Sequence, residues 1–185
     1  LTAAPHAQTA GQNHIDTISP MAPELAPYGP HAIGVRTLSV VAPHRPDIRN
    51  TQPGGPTVFA DRRLPLEVWY PATIAPGVAR HGTYDVLLRD GKTQATLHGR
   101  AVRDAAPERG NHPLVIISHG HPGSRYLMSH LAENLASKGY VVVSIDHTDS
   151  TYDDQLFAST LYNRPFDQLF VLNEVARLGA PNSGN

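Results

Sequence analysis

Residues 113–145 read PLVIISHGHPGSRYLMSHLAENLASKGYVVVSI, and their pattern decides the fold class. Leu114, Val115, Ile116 and Ile117 form an unbroken apolar run rich in β-branched side chains, as in a strand buried on both faces. Ser118-His119-Gly120-His121-Pro122-Gly123-Ser124 is a turn dense in glycine and proline. Leu127, Leu131 and Leu135 then recur at a spacing that predicts an amphipathic helix over about 125–138, which Gly139 closes from the C′ position. Tyr140 to Ile145 is a second apolar run. The stretch therefore predicts a β-turn-helix-β unit with adjacent parallel strands, and an α/β fold with a mostly parallel sheet.

Upstream, residues 31–41 (HAIGVRTLSVV) alternate and predict a first strand, with Ile33, Val35 and Leu38 to Val41 available for burial. Residues 63–70 (RLPLEVWY) set Leu64, Leu66, Val68 and Tyr70 on one face against Glu67 and Trp69, a second strand whose start Pro65 assigns to a sheet edge. Thr83–Leu88 and Gln94–Val102 flank Asp90-Gly91, a hairpin signal, and read as a surface hairpin inserted before the central unit. Downstream, residues 146–163 are polar, and Pro165 is placed to start a second amphipathic helix that Gly179 closes. Residues 1–30 hold five prolines and no apolar periodicity, so they read as an irregular arm, and 179–185 as a loop tail. Residues 31–178 are then one domain with a variable insertion at 73–110.

Composition narrows the chemistry. A net charge of −1 gives no case for nucleic acid or an anionic membrane, and the absence of cysteine removes disulfides, thiolate catalysis and zinc-thiolate sites. No apolar run is long enough to span a bilayer. The small-residue-rich start, LTAAPHAQTA, fits a secreted or periplasmic chain, with a cytoplasmic one as the alternative. Asp146-His147-Thr148-Asp149 and Asp153-Asp154 lack the glycine and final glutamate of a calcium loop, and the eleven histidines show no zinc spacing, so no metal and no cofactor is expected.

In an open parallel sheet, ligands bind beyond the carboxyl ends of strands, where residues 119–124 fall. Main-chain N–H groups there, at a helix N-terminus, can hold a developing oxyanion. The same residues also serve as a tight strand-to-helix connection. Ser124 reads as a helix cap, Arg164 and Asp167 as structural residues in the first turn of the last helix, and Trp69 as core or interface filler.

The stretch SHGHPGSRYLMSHLAENLASKGYVVVSIDHTDSTYDD resembles the oxyanion-loop region of α/β-hydrolases. Its nearest likeness is the bacterial branch of platelet-activating-factor acetylhydrolase-like, dienelactone-hydrolase-like and polyester-hydrolase-like enzymes. PYGPHAIGVRTLSV (27–40), RLPLEVWYPA (63–72) and YNRPFDQLFVLNEV (162–175) resemble that branch in the same order, leaving 1–26 and 73–110 outside the likeness. The resemblance implies that the backbone N–H of His121 donates to the oxyanion and that His119, Gly120 and Gly123 shape the loop. It also implies a serine in a G-x-S-x-G elbow, then an acid, then a histidine. No serine of the chain has glycines at both flanking positions, so the expectation is the N-terminal half of a serine-dependent carboxyl-ester hydrolase, inactive alone. Its triad would lie on a C-terminal half, as a second chain or lost, and its substrate would be a small-molecule or polymer ester. His119-Gly120-His121-Pro122 also fits the H-G-x-P pattern of epoxide hydrolases and dehalogenases of this fold, which use an aspartate nucleophile. A non-catalytic binding or assembly module is the third reading.

Overall fold

The structure is a computed structural model that describes residues 13–16 and 27–179. The readings of most of 1–26 and of the tail beyond 179 fall outside the described residues. The strands are β1 (Ala32–Pro46), β2 (Phe59–Thr73), β3 (Gly82–Leu87), β4 (Gln94–Gly99), β5 (Val102–Arg103), β6 (Ala106–Pro107), β7 (Leu114–Ser118) and β8 (Val141–Ile145). The helices are α1 (Ser129–Ser137), between β7 and β8, and α2 (Phe157–Leu178). The main sheet runs β5-β1-β2-β8-β7, with β6 beside the end of β2, and β3 pairs with β4 as a separate hairpin.

β7 and β8 are parallel neighbours, Leu114 opposite Val141 through Ser118 opposite Ile145, as the two apolar runs predict. The sheet is mixed beyond that pair, because β1–β2 and β2–β8 are antiparallel. Pro65 does not mark a sheet edge. β2 lies between β1 and β8, and the Pro65 carbonyl accepts the Asp146 N–H at 2.9 Å. Proline cannot return that bond, so its place is where the β2–β8 ladder stops.

The faces of β2 follow the sequence alternation. Leu64, Leu66, Val68 and Tyr70 join Val143, Ile145 and Val171 of α2 on one side. Trp69 joins Val35, Val142 and Ala132 and Ala136 of α1 on the other. The hairpin is not a surface feature: Tyr84 and Val86 are buried in this second cluster, and the Trp69 indole donates to the Tyr84 hydroxyl at 2.9 Å. Its turn is as the sequence signals, with Gly91 at φ +67° and the Asp90 carboxylate accepting the N–H groups of Lys92 and Thr93.

Both helices differ from the expectation. The leucine stripe is not the most buried face: Leu127, which precedes α1, and Leu131 are 45% and 39% exposed and Leu135 is half-buried against the core, whereas Ser129, Ala132, Glu133, Ala136 and Ser137 are buried. Small residues let the sheet and the hairpin approach closely, and Glu133 is tolerated because its carboxylate accepts the N–H groups of Arg100 and Ala101 and the Tyr84 hydroxyl. An added Cβ on Gly99 would lie 2.2 Å from Glu133 Oε1, so any larger residue there would push the carboxylate off its hydrogen-bond donors. The helix also starts later than the spacing suggests, and Gly139, at φ +100°, ends it as expected.

α2 starts eight residues before Pro165, which lies inside it. The misreading has a physical cause: the face turned inward at the start is polar, with Ser159, Thr160 and Asn163 buried and hydrogen-bonded, so no apolar period announces it. Arg164 and Asp167 are consequently in the middle of the helix, not its first turn.

Candidate active-site loop

β7 ends at Ser118, and residues 119–124 leave the sheet at its carboxyl end. A turn at 125–128 separates them from α1, whose N-cap position, Met128, makes no side-chain capping bond. The loop therefore does not feed a helix N-terminus directly, and the helix dipole expected to polarise it is displaced by a full turn. Ser124 accordingly caps the turn, its hydroxyl accepting the Tyr126 N–H at 3.3 Å, rather than the helix.

Contacts from two other segments, residues 146–150 and α2, hold the loop instead. His119 is buried, and its Nδ1 donates to the Gly120 carbonyl at 2.6 Å while Nε2 accepts the His147 main-chain N–H at 3.3 Å. Acceptance at Nε2 requires the neutral ring, and burial pushes its pKa down to about 4. Arg164 of α2 reaches back to donate to the carbonyls of His119 and Gly120 and to the Ser150 hydroxyl. The Gly123 N–H bonds the Ser150 carbonyl at 3.0 Å, and Arg125 pairs with Asp146.

The two glycines play different parts. A Cβ on Gly123 would lie 2.6 Å from His119 Nδ1, so this position packs the loop against the buried imidazole. A Cβ on Gly120 would meet nothing within 4 Å, because Gly120 faces open space. The N–H groups of Gly120 and His121 have no hydrogen-bond acceptor among the described residues. Gly120, His121 and Pro122 line a cleft of about 640 Å³ whose other walls are Val86 to Arg89 of the hairpin, Asn13 to Ile15, Leu127, His130 and Tyr152. The imidazole of His121 turns away to the hydroxyls of Ser150, at 3.0 Å, and Thr160, at 3.2 Å.

Sequence reasoning missed one constellation. Ser118 Oγ lies 2.9 Å from His147 Nε2, and His147 Nδ1 lies 3.0 Å from Asp167 Oδ2. These are the contacts of a catalytic serine triad, but the surroundings differ from one. His147 and Asp167 are fully buried between the sheet and α2, and Arg62 grips Asp167 through Nε at 2.9 Å and Nη2 at 3.1 Å. A carboxylate neutralised in that way is a poor partner for an imidazolium. Burial moreover lowers the His147 pKa, with the bond to Asp167 opposing it. The set braces α2 against the ends of β7 and β8. Only the position of each residue at a strand end or inside a helix could have signalled it, and the helix was not legible there.

Three of the four acids considered for a cation are engaged with arginines, Asp149 with Arg49 and Arg62, Asp154 with Arg49, and Asp146 with Arg125, and Asp153 accepts the Thr151 hydroxyl.

Residues 81–162 match the family "Platelet-activating factor acetylhydrolase, isoform II". The match begins with the hairpin and so covers the 81–110 part of the insertion, which the resemblance of the flanking stretches leaves outside. Among solved structures, a ferulic acid esterase from Streptomyces cinnamoneus superposes with a TM-score of 0.58 at 24% identity, over 82% of this chain and 47% of that one. The chain thus spans about half the length of the esterase it matches. No curated protein matches it.

Proposed function

We propose that this chain, which carries part of an α/β-hydrolase fold of the platelet-activating-factor-acetylhydrolase-like branch, supplies the oxyanion loop of a serine-dependent carboxyl-ester hydrolase. The observation that carries the reading is the pair of N–H groups, Gly120 and His121, that have no acceptor among the described residues, at the carboxyl end of β7 in a residue stretch that lines the cleft. Attack on an ester carbonyl turns its oxygen into an alkoxide. Preset donors at that position lower the barrier without having to reorganise. The His121 amide is the main donor in this reading, with His119 and Gly123 fixing the loop and Gly120 leaving room for substrate.

The nucleophile, base and acid lie, in this proposal, on residues outside these 185, on a continuation of the chain or on a second polypeptide. Two observations support it: no serine here sits between glycines in a strand-to-helix elbow, and β7 pairs only on its β8 side among the described residues. Another parallel strand can add there and bring an elbow next to residues 119–123. The substrate is a small-molecule or polymer ester.

The test combines p-nitrophenyl acetate hydrolysis with fluorophosphonate labelling, on the 185-residue chain alone and together with the remainder of the hydrolase. Labelling and turnover are expected only with both, on a serine outside this chain. Labelling of the isolated chain at the rate of the complete protein would overturn the reading, with Ser118, beside His147, the first residue to examine. In the active protein, Gly120→Val should fold and yet lose about a hundredfold or more in kcat, since its side chain would enter the space beside the donors.

A further inference from the structure

The Gly120 and His121 N–H groups have no acceptor among the described residues, and the other side of their peptide planes is held. In a trans peptide the C=O and the following N–H point in opposite directions, so the carbonyl of residue 119 fixes the Gly120 N–H and that of 120 fixes the His121 N–H. Among the described residues the His121–Pro122 bond is cis and both of these peptides are trans. Arg164 donates through Nη1 to the His119 carbonyl and through Nη2 to the Gly120 carbonyl, the latter at 3.1 Å.

We propose that Arg164 is a positioning residue for ester hydrolysis: its guanidinium clamps two consecutive loop carbonyls so that both amides opposite them stay turned toward the cleft. The inference rests on the oxyanion-loop reading given above and adds to it a residue on a helix more than forty positions away in sequence. Three features set Arg164 apart from an ordinary helix-to-loop tie. Among the described residues it forms no ion pair, so its charge is committed to carbonyls and the Ser150 hydroxyl. Its Nε is buried without a partner, a cost that the placement of the fork imposes. The planar fork also spans two acceptors at once, which a lysine ammonium on a flexible stem does not reproduce. The clamp takes over the role that a helix N-terminus, displaced here by the turn at 125–128, cannot perform.

The experiment uses the hydrolase containing this chain and compares Arg164→Ala, Arg164→Lys and Arg164→Ala with added guanidinium chloride at millimolar concentration. On p-nitrophenyl acetate, Arg164→Ala should lower kcat about a hundredfold while KM moves by less than about threefold, because the donors act on the oxyanion and not on the bound ester. Arg164→Lys should remain at least about tenfold down. Added guanidinium should restore part of the loss in Arg164→Ala and nothing in Gly120→Val. Independently of turnover, the amide ¹⁵N and ¹H shifts of Gly120 and His121 should move in Arg164→Lys while those of β1 and α1 stay. Unchanged kcat in a folded Arg164→Ala protein would overturn the inference. So would a loss that tracks the melting temperature, resists guanidinium and leaves the loop amides unmoved. If the unmodified protein hydrolyses no ester, the oxyanion reading fails, and the amide shifts still decide whether Arg164 orients the loop.

Discussion

The two sides of the sheet are finished differently. On the α1 side, small side chains and the hairpin close over the strands, and the one buried carboxylate of the helix, Glu133, is satisfied by main-chain N–H groups and a tyrosine hydroxyl. On the α2 side the buried carboxylate, Asp167, is held by an arginine and a histidine, while large apolar residues of the helix point outward: Leu161 is 65% and Leu169 56% exposed, with Phe157, Phe166 and Leu172 beside them. The first side is closed by the hairpin over a hydrogen-bonded seam, with Leu127 and Leu131 exposed above it. The second presents an apolar stripe of the kind that marks an interaction surface.

Breaking the α1 side should cost most. Glu133→Ala strands two main-chain N–H groups and the Tyr84 hydroxyl in the core, and should lower stability in urea by about 4 kcal/mol. A loss below about 1 kcal/mol would show that the hairpin is not docked through this carboxylate. Asp167→Ala on the other side leaves Arg62 and His147 without their acceptor and should cost about 3 kcal/mol, measured in the same way.

Acid should act on the α2 side through its histidines. The His119 pKa falls from 6.5 to about 4 on folding, so between those values the unfolded chain binds a proton that the folded chain does not. The contribution is intact above pH 6.5, and stability is lost as pH drops from there toward about 4. His147 shifts in the same direction and adds to the loss. Urea midpoints measured across this range check the sign, and His119→Gln should flatten the dependence. The smallest effect is expected outside: Leu161→Ser with Leu169→Ser should change urea stability by no more than about 0.5 kcal/mol each and should reduce binding of an apolar dye. A large loss of stability would mean that the stripe is not free in this fold.

The sequence was legible where apolar period and backbone geometry agree. The parallel pairing of β7 and β8, the two faces of β2, the Asp90-Gly91 turn and the Gly139 stop stand where pattern and turn chemistry put them. It was illegible where polar residues are buried. Ser159, Thr160 and Asn163 look like a loop and form the inner face of a helix, and Glu133 looks solvated and lies at zero exposure. Leu127 and Leu131 mislead in the opposite sense, because the face with the larger side chains is not the one that packs. The loop at 119–123 could be located from its residues and from resemblance. The clamp that aims its amides could not, since Arg164, His119 and Ser150 meet only through the fold.

One contact sets a timetable for synthesis. The Gly29 N–H bonds the Ser137 hydroxyl at 2.8 Å, and a Cβ on Gly29 would lie 2.1 Å from the Ser137 carbonyl oxygen, so the segment leading into β1 is fastened to the last turn of α1 across 108 residues. A ribosome needs on the order of 5–20 s to translate that distance. During that interval β1 can hold only to β2 and its nearer neighbours, and its leading segment has Arg100 over the Tyr28 ring and Glu108 beside His31 but not its tie to α1. A stall before residue 137 would leave that segment without its tie to α1 however well the first two strands had paired.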